Sequence, residues 1–216
     1  MGILYLGAGA QAQVNPGTEL TLSPPSGVVV GDVLFAVVNG SASDTVFNMP
    51  IGWVTLLHKK ELNVYYKVAG VGDPATHLWT SDVSHNKQGI IIAYRGLLGG
   101  DLQDAEADFE EADAARTISN APGVTTTRKN DLIILFLQAD GDPGALVVPT
   151  GFTERIDNLN TPADDLMHVC DKIQTAVGAT GSFDYTHTST SDEFELCTFA
   201  AKQANLNKSH LAIGVL

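Results

Sequence analysis

Basic residues are scarce in this chain: Lys and Arg total 12 of 216 residues, and they form no run. Against 25 acids they leave a net charge of −13. A nucleic-acid interface needs clustered Lys and Arg to meet phosphates, so that class of partner is excluded. Anionic membrane surfaces are excluded on the same ground. No run of 18 apolar residues occurs, so the sequence contains no transmembrane helix. The opening Met1 to Ala10 has no basic leader and only a short apolar stretch, which reads as a first strand rather than a signal peptide. Cys170 and Cys197 are the only cysteines, too few for a disulfide framework. Both fall in apolar stretches and are expected as buried thiols in a chain folded in a reducing cytoplasm, with a disulfide between neighbouring strands as the alternative.

Catalytic signatures are missing as well. The six histidines are scattered without zinc-ligand spacing. His168 and Cys170, two apart, share a strand face and read as a buried imidazole beside a buried thiol. There is no G-x-S-x-G, and Gly7-Ala-Gly9 lacks the third glycine of a phosphate loop. Asp140-Gly-Asp142 and Asp164-Asp165 offer paired carboxylates, the equipment of glycoside hydrolysis. In a chain this acidic they read first as solvated turns. No catalytic, cofactor or metal residue is therefore assigned, no cofactor is expected, and the protein is not expected to be an enzyme.

What the chain does have is a repeat. Gly31-Asp-Val-Leu-Phe-Ala-Val-Val-Asn39 returns as Asn130-Asp-Leu-Ile-Ile-Leu-Phe-Leu-Gln138. Pro50-Ile-Gly-Trp53 returns as Pro149-Thr-Gly-Phe152, and Val64-Tyr-Tyr-Lys67 as Val169-Cys-Asp-Lys172. The spacing is 99 residues from Asp32 to Asp131 and from Gly52 to Gly151, but 105 from Lys67 to Lys172. The second copy thus carries a six-residue insertion. Both copies are rich in short apolar or alternating runs separated by turn residues, which is β patterning. The expected fold is all-β: a single jelly-roll-like β-sandwich over residues 1–203, built from related halves at about 18–100 and 117–203. Trp53 and Phe152 follow Pro-x-Gly and are expected to plug the core, with a sugar-stacking platform as the functional alternative. Asn39-Gly40 reads as a hairpin turn.

Two segments stand outside the repeat. Residues 101–116 hold seven acids and one Arg. Leu102, Ala105, Phe109 and Ala112 would line a short helix there, and an irregular acidic crossover is the alternative. The tail 204–216 ends in Leu211-Ala-Ile-Gly-Val-Leu216 without a polar side chain. It is expected to form either a final strand of its own core or an arm, with Leu211, Ile213, Val215 and Leu216 as candidate partner-binding residues.

The motifs Gly31-Asp32, Pro50-Ile-Gly-Trp53, Tyr65-Tyr-Lys-Val-Ala69, Gly72-Asp-Pro-Ala-Thr76 and Ala93-Tyr-Arg-Gly96 carry a resemblance. So do Val124-Thr-Thr-Thr127, Pro149-Thr-Gly-Phe-Thr-Glu154 and Ala176 to Ser182. Across roughly residues 3–202 the chain resembles a duplicated β-sandwich family of tailed-phage virion proteins and bacterial surface proteins. The resemblance implies a non-enzymatic virion protein made in the host cytoplasm, most simply an outer-capsid decoration protein. Its implied partners are the major capsid protein or another virion protein and further copies of itself, a trimer being favoured, with no nucleic acid and no membrane. A carbohydrate- or receptor-binding module of a tail fibre or adhesin is the alternative.

Overall fold

A computed structural model describes residues 2–41, 46–112, 116–141, 144–160, 165–191 and 193–204. The first seven strands are β1 (Leu4–Ala8), β2 (Ala12–Leu22), β3 (Val33–Gly40), β4 (Phe47–Asn48), β5 (Val54–Lys59), β6 (Leu62–Val68) and β7 (His77–Arg95). Five more follow: β8 (Gln103–Ala112), β9 (Arg116–Ala121), β10 (Thr125–Thr126), β11 (Asp131–Asp140) and β12 (Leu146–Val147). The last five are β13 (Thr153–Asn160), β14 (Asp165–Gln174), β15 (Gly178–Ala179), β16 (Phe183–Ser191) and β17 (Glu193–Ala201). The protein is all-β with antiparallel pairing, and no helix occurs among the described residues.

One row of strands runs β1-β7-β3-β6-β5, and a second runs β8-β17-β11-β14-β13. The first part of β7 also pairs with β2 and β4, while β16 pairs with β9 and β12. Thus one long strand in the first half does what β16 and β17 do in the second. The registers agree: Leu34 pairs with Lys67 and Ile133 with Lys172.

A two-layer sandwich would have a single inner core, but the described residues form three apolar clusters. In the middle one, Val33, Phe35 and Val37 of β3 meet Leu132, Ile134 and Phe136 of β11. The Phe35 ring lies 6.0 Å from both Phe136 and Phe199. On the opposite face of β3, Leu34, Ala36 and Val38 pack with Leu20, Leu22 and Trp79. On the opposite face of β11, Ile133, Leu135 and Leu137 pack with Phe183, Tyr185 and Phe194. Covering both faces explains why β3 and β11 are continuous apolar runs rather than alternating ones. A buried polar bridge adds to the middle cluster: Asp171 accepts from Tyr94 Oη at 2.6 Å and from Arg155 Nε at 2.7 Å.

Two local expectations are corrected. The acidic segment expected as a helix or irregular crossover is largely strand β8, paired with β17. Its sequence alternates Asp104, Glu106 and Asp108 with Ala105, Ala107 and Phe109, a period of two. The exposed backbone of β17 also needs a partner for its hydrogen bonds. Asn39-Gly40 is not a hairpin turn; it ends β3 and pairs with Gln88 and Lys87. Asn39 is buried, so Asn39-Gly-Ser41 is not an accessible glycosylation site.

Candidate functional site

Similar turns stand at residues 50–53 and 149–152. Gly52 (φ 87°) and Gly151 (φ 86°) occupy the left-handed region that glycine tolerates. They place the next residue, Trp53 or Phe152, so that its N–H meets the carbonyl of Pro50 at 3.3 Å or Pro149 at 3.1 Å. Both aromatics are core, at 4% and 9% exposure, as expected for plugs rather than stacking platforms. Trp53 stands edge-on to His77 and Trp79, at 5.2 and 5.1 Å. Phe152 meets Phe183 at 4.9 Å.

Beyond these plugs the halves diverge. In the second half the loops after β9 and β14 zip together. Thr125 and Thr126 pair with Ala179 and Gly178, forming β10–β15. Val124 N–H donates to Thr180 Oγ1 at 3.0 Å, and Thr180 N–H returns to Val124 O at 2.8 Å. Lys172 lies over the closed end, 4.7 Å from the Phe152 ring and 4.2 Å from Phe183.

In the first half the same two loops leave a pocket of about 480 Å³. Pro25 stands 99 residues before Val124 and has no N–H to make the bridging bond. Pro24, Pro25 and Val28 to Val30 form one wall, and Ala69, Gly70 and Gly72 to Pro74 contribute the other. The buried side chains of Leu34 and His77 close its inner end. Val29, Val30 and Val71 are exposed at 54%, 61% and 92%. Lys67, the counterpart of Lys172, turns instead to Asp73 at 2.8 Å.

His77 and Asp73 are the polar side chains of this pocket. Its Nδ1 accepts the indole N–H of Trp53 at 3.2 Å, and its buried Nε2 has no partner. Burial, reinforced by the Lys67 charge, lowers its pKa despite the opposing pull of Asp73. A neutral ring that accepts at Nδ1 carries its proton on Nε2. The pocket lining mixes valine, proline and leucine side chains with glycine backbone and the Asp73 carboxylate, and the His77 Nε2–H is buried beside it. Burial pushes the Asp73 carboxyl up, but the Gly70 N–H and Lys67 outweigh it and hold its pKa below the usual value.

The other sequence candidates are structural in their surroundings. Cys170 and Cys197 are buried and on opposite faces of one sheet. Burial pushes the Cys170 thiol up to about 12, and its sulfur lies 2.9 Å from Tyr185 Oη, which is no setting for a nucleophile. His168 is wholly buried, 3.3 Å from Glu154, and burial lowers its pKa. Among the described residues no group of three His, Cys, Asp or Glu could hold a metal ion. Asp142 and Asp164 lie outside the described residues, as do Leu211, Ile213, Val215 and Leu216.

The sequence reading missed the pocket. Its signal was present as a mismatch in the repeat: Pro24-Pro25 against Gly123-Val124, and Gly72-Asp-Pro74 against Val177-Gly-Ala179. No protein-family model, curated protein or solved structure matches the chain.

Proposed function

We propose that this is a non-enzymatic phage structural protein, an outer-capsid decoration protein formed by duplication of one β half. The observation that carries the reading is the correspondence of the halves. The motifs behind the family resemblance are the ones that make the paired turns at Gly52 and Gly151 and the paired registers at Lys67 and Lys172. On this reading the repeats extend from β1 and from β8, so the acidic strand opens the second copy rather than linking the two. Two stacked sheets with apolar residues on both faces make a stiff body suited to bracing a lattice, and the acidic surface keeps free copies apart before they add to it. Its partners are the major capsid protein and further copies of itself.

Separating heads from tails of the particle and measuring which fraction retains the chain tests this. Retention by heads at a fixed ratio to the major capsid protein is the expected result. Absence from particles overturns the proposal. Retention by tails would favour a receptor-binding module, the reading that the open pocket supports. Sugar stacking on Trp53 or Phe152 has no support, because both rings are buried.

A further inference from the structure

We propose that the pocket of the first half binds an N-acetylated amino sugar, with the acetamido group held at its inner end by His77 and Asp73. This goes beyond the decoration reading and does not rest on it.

The donor of the site is His77. It is 3% exposed, and its Nε2 has no partner. The Trp53 N–H occupies Nδ1, so the neutral ring carries its proton on Nε2. A buried donor left unpaired is costly, and a carbonyl oxygen entering the pocket removes that cost. The acceptor is Asp73, whose side chain is 25% exposed. One of its oxygens meets Lys67 Nζ at 2.8 Å, and the other takes the Gly70 N–H at 2.9 Å. A carboxylate oxygen accepts more than one hydrogen bond, so a further donor can join it. The two residues lie close enough for each to perturb the ionisation of the other.

This pairing selects against ions. An anion meets the Asp73 carboxylate on a body of net charge −13. A cation meets the imidazole N–H and competes with Lys67 for Asp73. What the site suits is a neutral group with one acceptor and one donor. Leu34, Val28 and the rings of Pro24 and Pro25 add apolar surface around it. An acetamido group meets all three conditions: its carbonyl takes the His77 N–H, its N–H donates to Asp73, and its methyl meets the apolar walls.

The volume of about 480 Å³ is larger than an acetamido group needs, and it falls in the range of roughly 300–1,000 Å³ usual for ligand sites. Its lining is divided almost evenly between polar and apolar surface. A pyranose ring alternates hydroxyls with C–H groups and matches such a lining, whereas an aliphatic chain would leave the polar half unpaired. The other end of the molecule supports the assignment. There β10 and β15 pair across the loops, and Phe183 stands against Phe152 as His77 stands against Trp53. A ring without an N–H lies under the closed loops, and a ring with one lies under the open loops.

The test is titration of the full chain with N-acetylglucosamine, glucosamine, glucose and N-methylacetamide. The His77 Nε2–H resonance is the readout, with that of buried His187 as the reference. N-acetylglucosamine is expected to shift the His77 signal alone, with a Kd of about 1 mM. The other three probes are expected to bind at least about tenfold more weakly, because each lacks the acetyl group or the ring. Equal binding of glucose or glucosamine would show that the acetamido group is not read, and overturns the proposal. Equal binding of N-methylacetamide would show that the sugar ring is not read, and overturns it too. So does the absence of any His77 shift up to about 50 mM sugar. Calorimetry on His77→Phe and Asp73→Ala provides a second arm. Each is expected to weaken N-acetylglucosamine at least about tenfold. Asp73→Ala alters a partly exposed loop and decides the matter where His77→Phe does not fold. Undiminished binding in Asp73→Ala overturns the proposal.

Discussion

The β1-β7-β3-β6-β5 row and the β8-β17-β11-β14-β13 row each carry a Pro-x-Gly turn beside one end, yet one end is zipped shut and the other open. Small local differences suffice. Val124 has an N–H to give Thr180, and Pro25 in the corresponding place has none. Across that change the partner of the conserved-register lysine also switches, from the aromatic rings beneath Lys172 to the carboxylate beside Lys67. Two stretches of similar sequence can therefore pack similar apolar strands and still end differently, provided the changes fall in loops where a few backbone hydrogen bonds decide closure.

The sharpest way to break this comparison is to remove the plugs. Trp53→Ala and Phe152→Ala should each cost about 3–5 kcal/mol in denaturant unfolding, since each empties a packed aromatic site. Trp53→Ala should be the costlier, because it also strips Nδ1 of buried His77 of its donor. A cost below about 1 kcal/mol for either would show that the two are not equivalent core residues.

Next come the corresponding aspartates, which the repeat makes look alike and the structure makes opposite. Burial pushes Asp32 up, but the Arg95 hydrogen bonds, the Val29 N–H and the Arg95 charge outweigh it and lower its pKa. Asp131 is buried facing Asp104. Burial first, and then that second carboxyl, raise its pKa to about 6. One Asp131 oxygen takes the Gln203 N–H at 3.2 Å, while the other has no donor unless the two carboxyls share a proton. For Asp32 the folded pKa lies below the unfolded one, so its stabilisation is present above the unfolded value and is lost as pH falls through the folded one. For Asp131 the folded pKa lies above, so its stabilisation is complete below the unfolded value of 3.8 and is lost as pH rises towards about 6. Asp32→Asn is expected to lower stability at pH 7, because the buried site loses the carboxylate that Arg95 and the Val29 N–H hold. Asp131→Asn is expected to raise stability by about 1–2 kcal/mol at pH 7 and to change little below pH 4. Thermal melts from pH 3 to 8 check both signs, and parallel pH profiles for the two variants would contradict the opposition.

The all-β class was legible because it is written in periodicity and in turn residues. Asp32 and Asp131, Gly52 and Gly151, and Lys67 and Lys172 occupy corresponding positions because each sits at a turn or in a strand register that sequence spacing preserves. The number of apolar layers was not legible in the same way. A strand covered on both faces reads alike in a two-layer or a deeper stack, and only the contact of Phe35 with Phe136 and Phe199 shows that the two large sheets face each other. The pocket was hidden for another reason. It arises from a hydrogen bond that Pro25 does not make, and a motif search registers Pro24-Pro25 only as a turn. Strand β8 was misread because Leu102, Ala105, Phe109 and Ala112 also fit a helical spacing, and the competing two-residue alternation of acids was counted as solvated charge.

The smallest expected effect concerns the two edge strands. β1 ends the first row and β8 the second, and each row continues through a single neighbour, β7 or β17. β1 is short and uncharged, Leu4-Tyr-Leu-Gly-Ala8, with a register shift between Tyr5 and Gly7. β8 is twice as long at 10 residues and contains five acids. Shortness and irregularity guard one edge, and charge guards the other. Asp104 has a separate task, since it binds Thr127 and faces Asp131. Neutralising Glu106, Asp108, Glu110 and Glu111 together to their amides should therefore leave monomer stability within about 0.5 kcal/mol, with any gain confined to low salt where like charges repel. The same variant should aggregate faster in light scattering, because a long strand edge has lost its charge. A loss of more than about 2 kcal/mol on neutralisation would assign these acids a structural role, and an unchanged aggregation rate would mean that the β8 edge is protected by something other than charge.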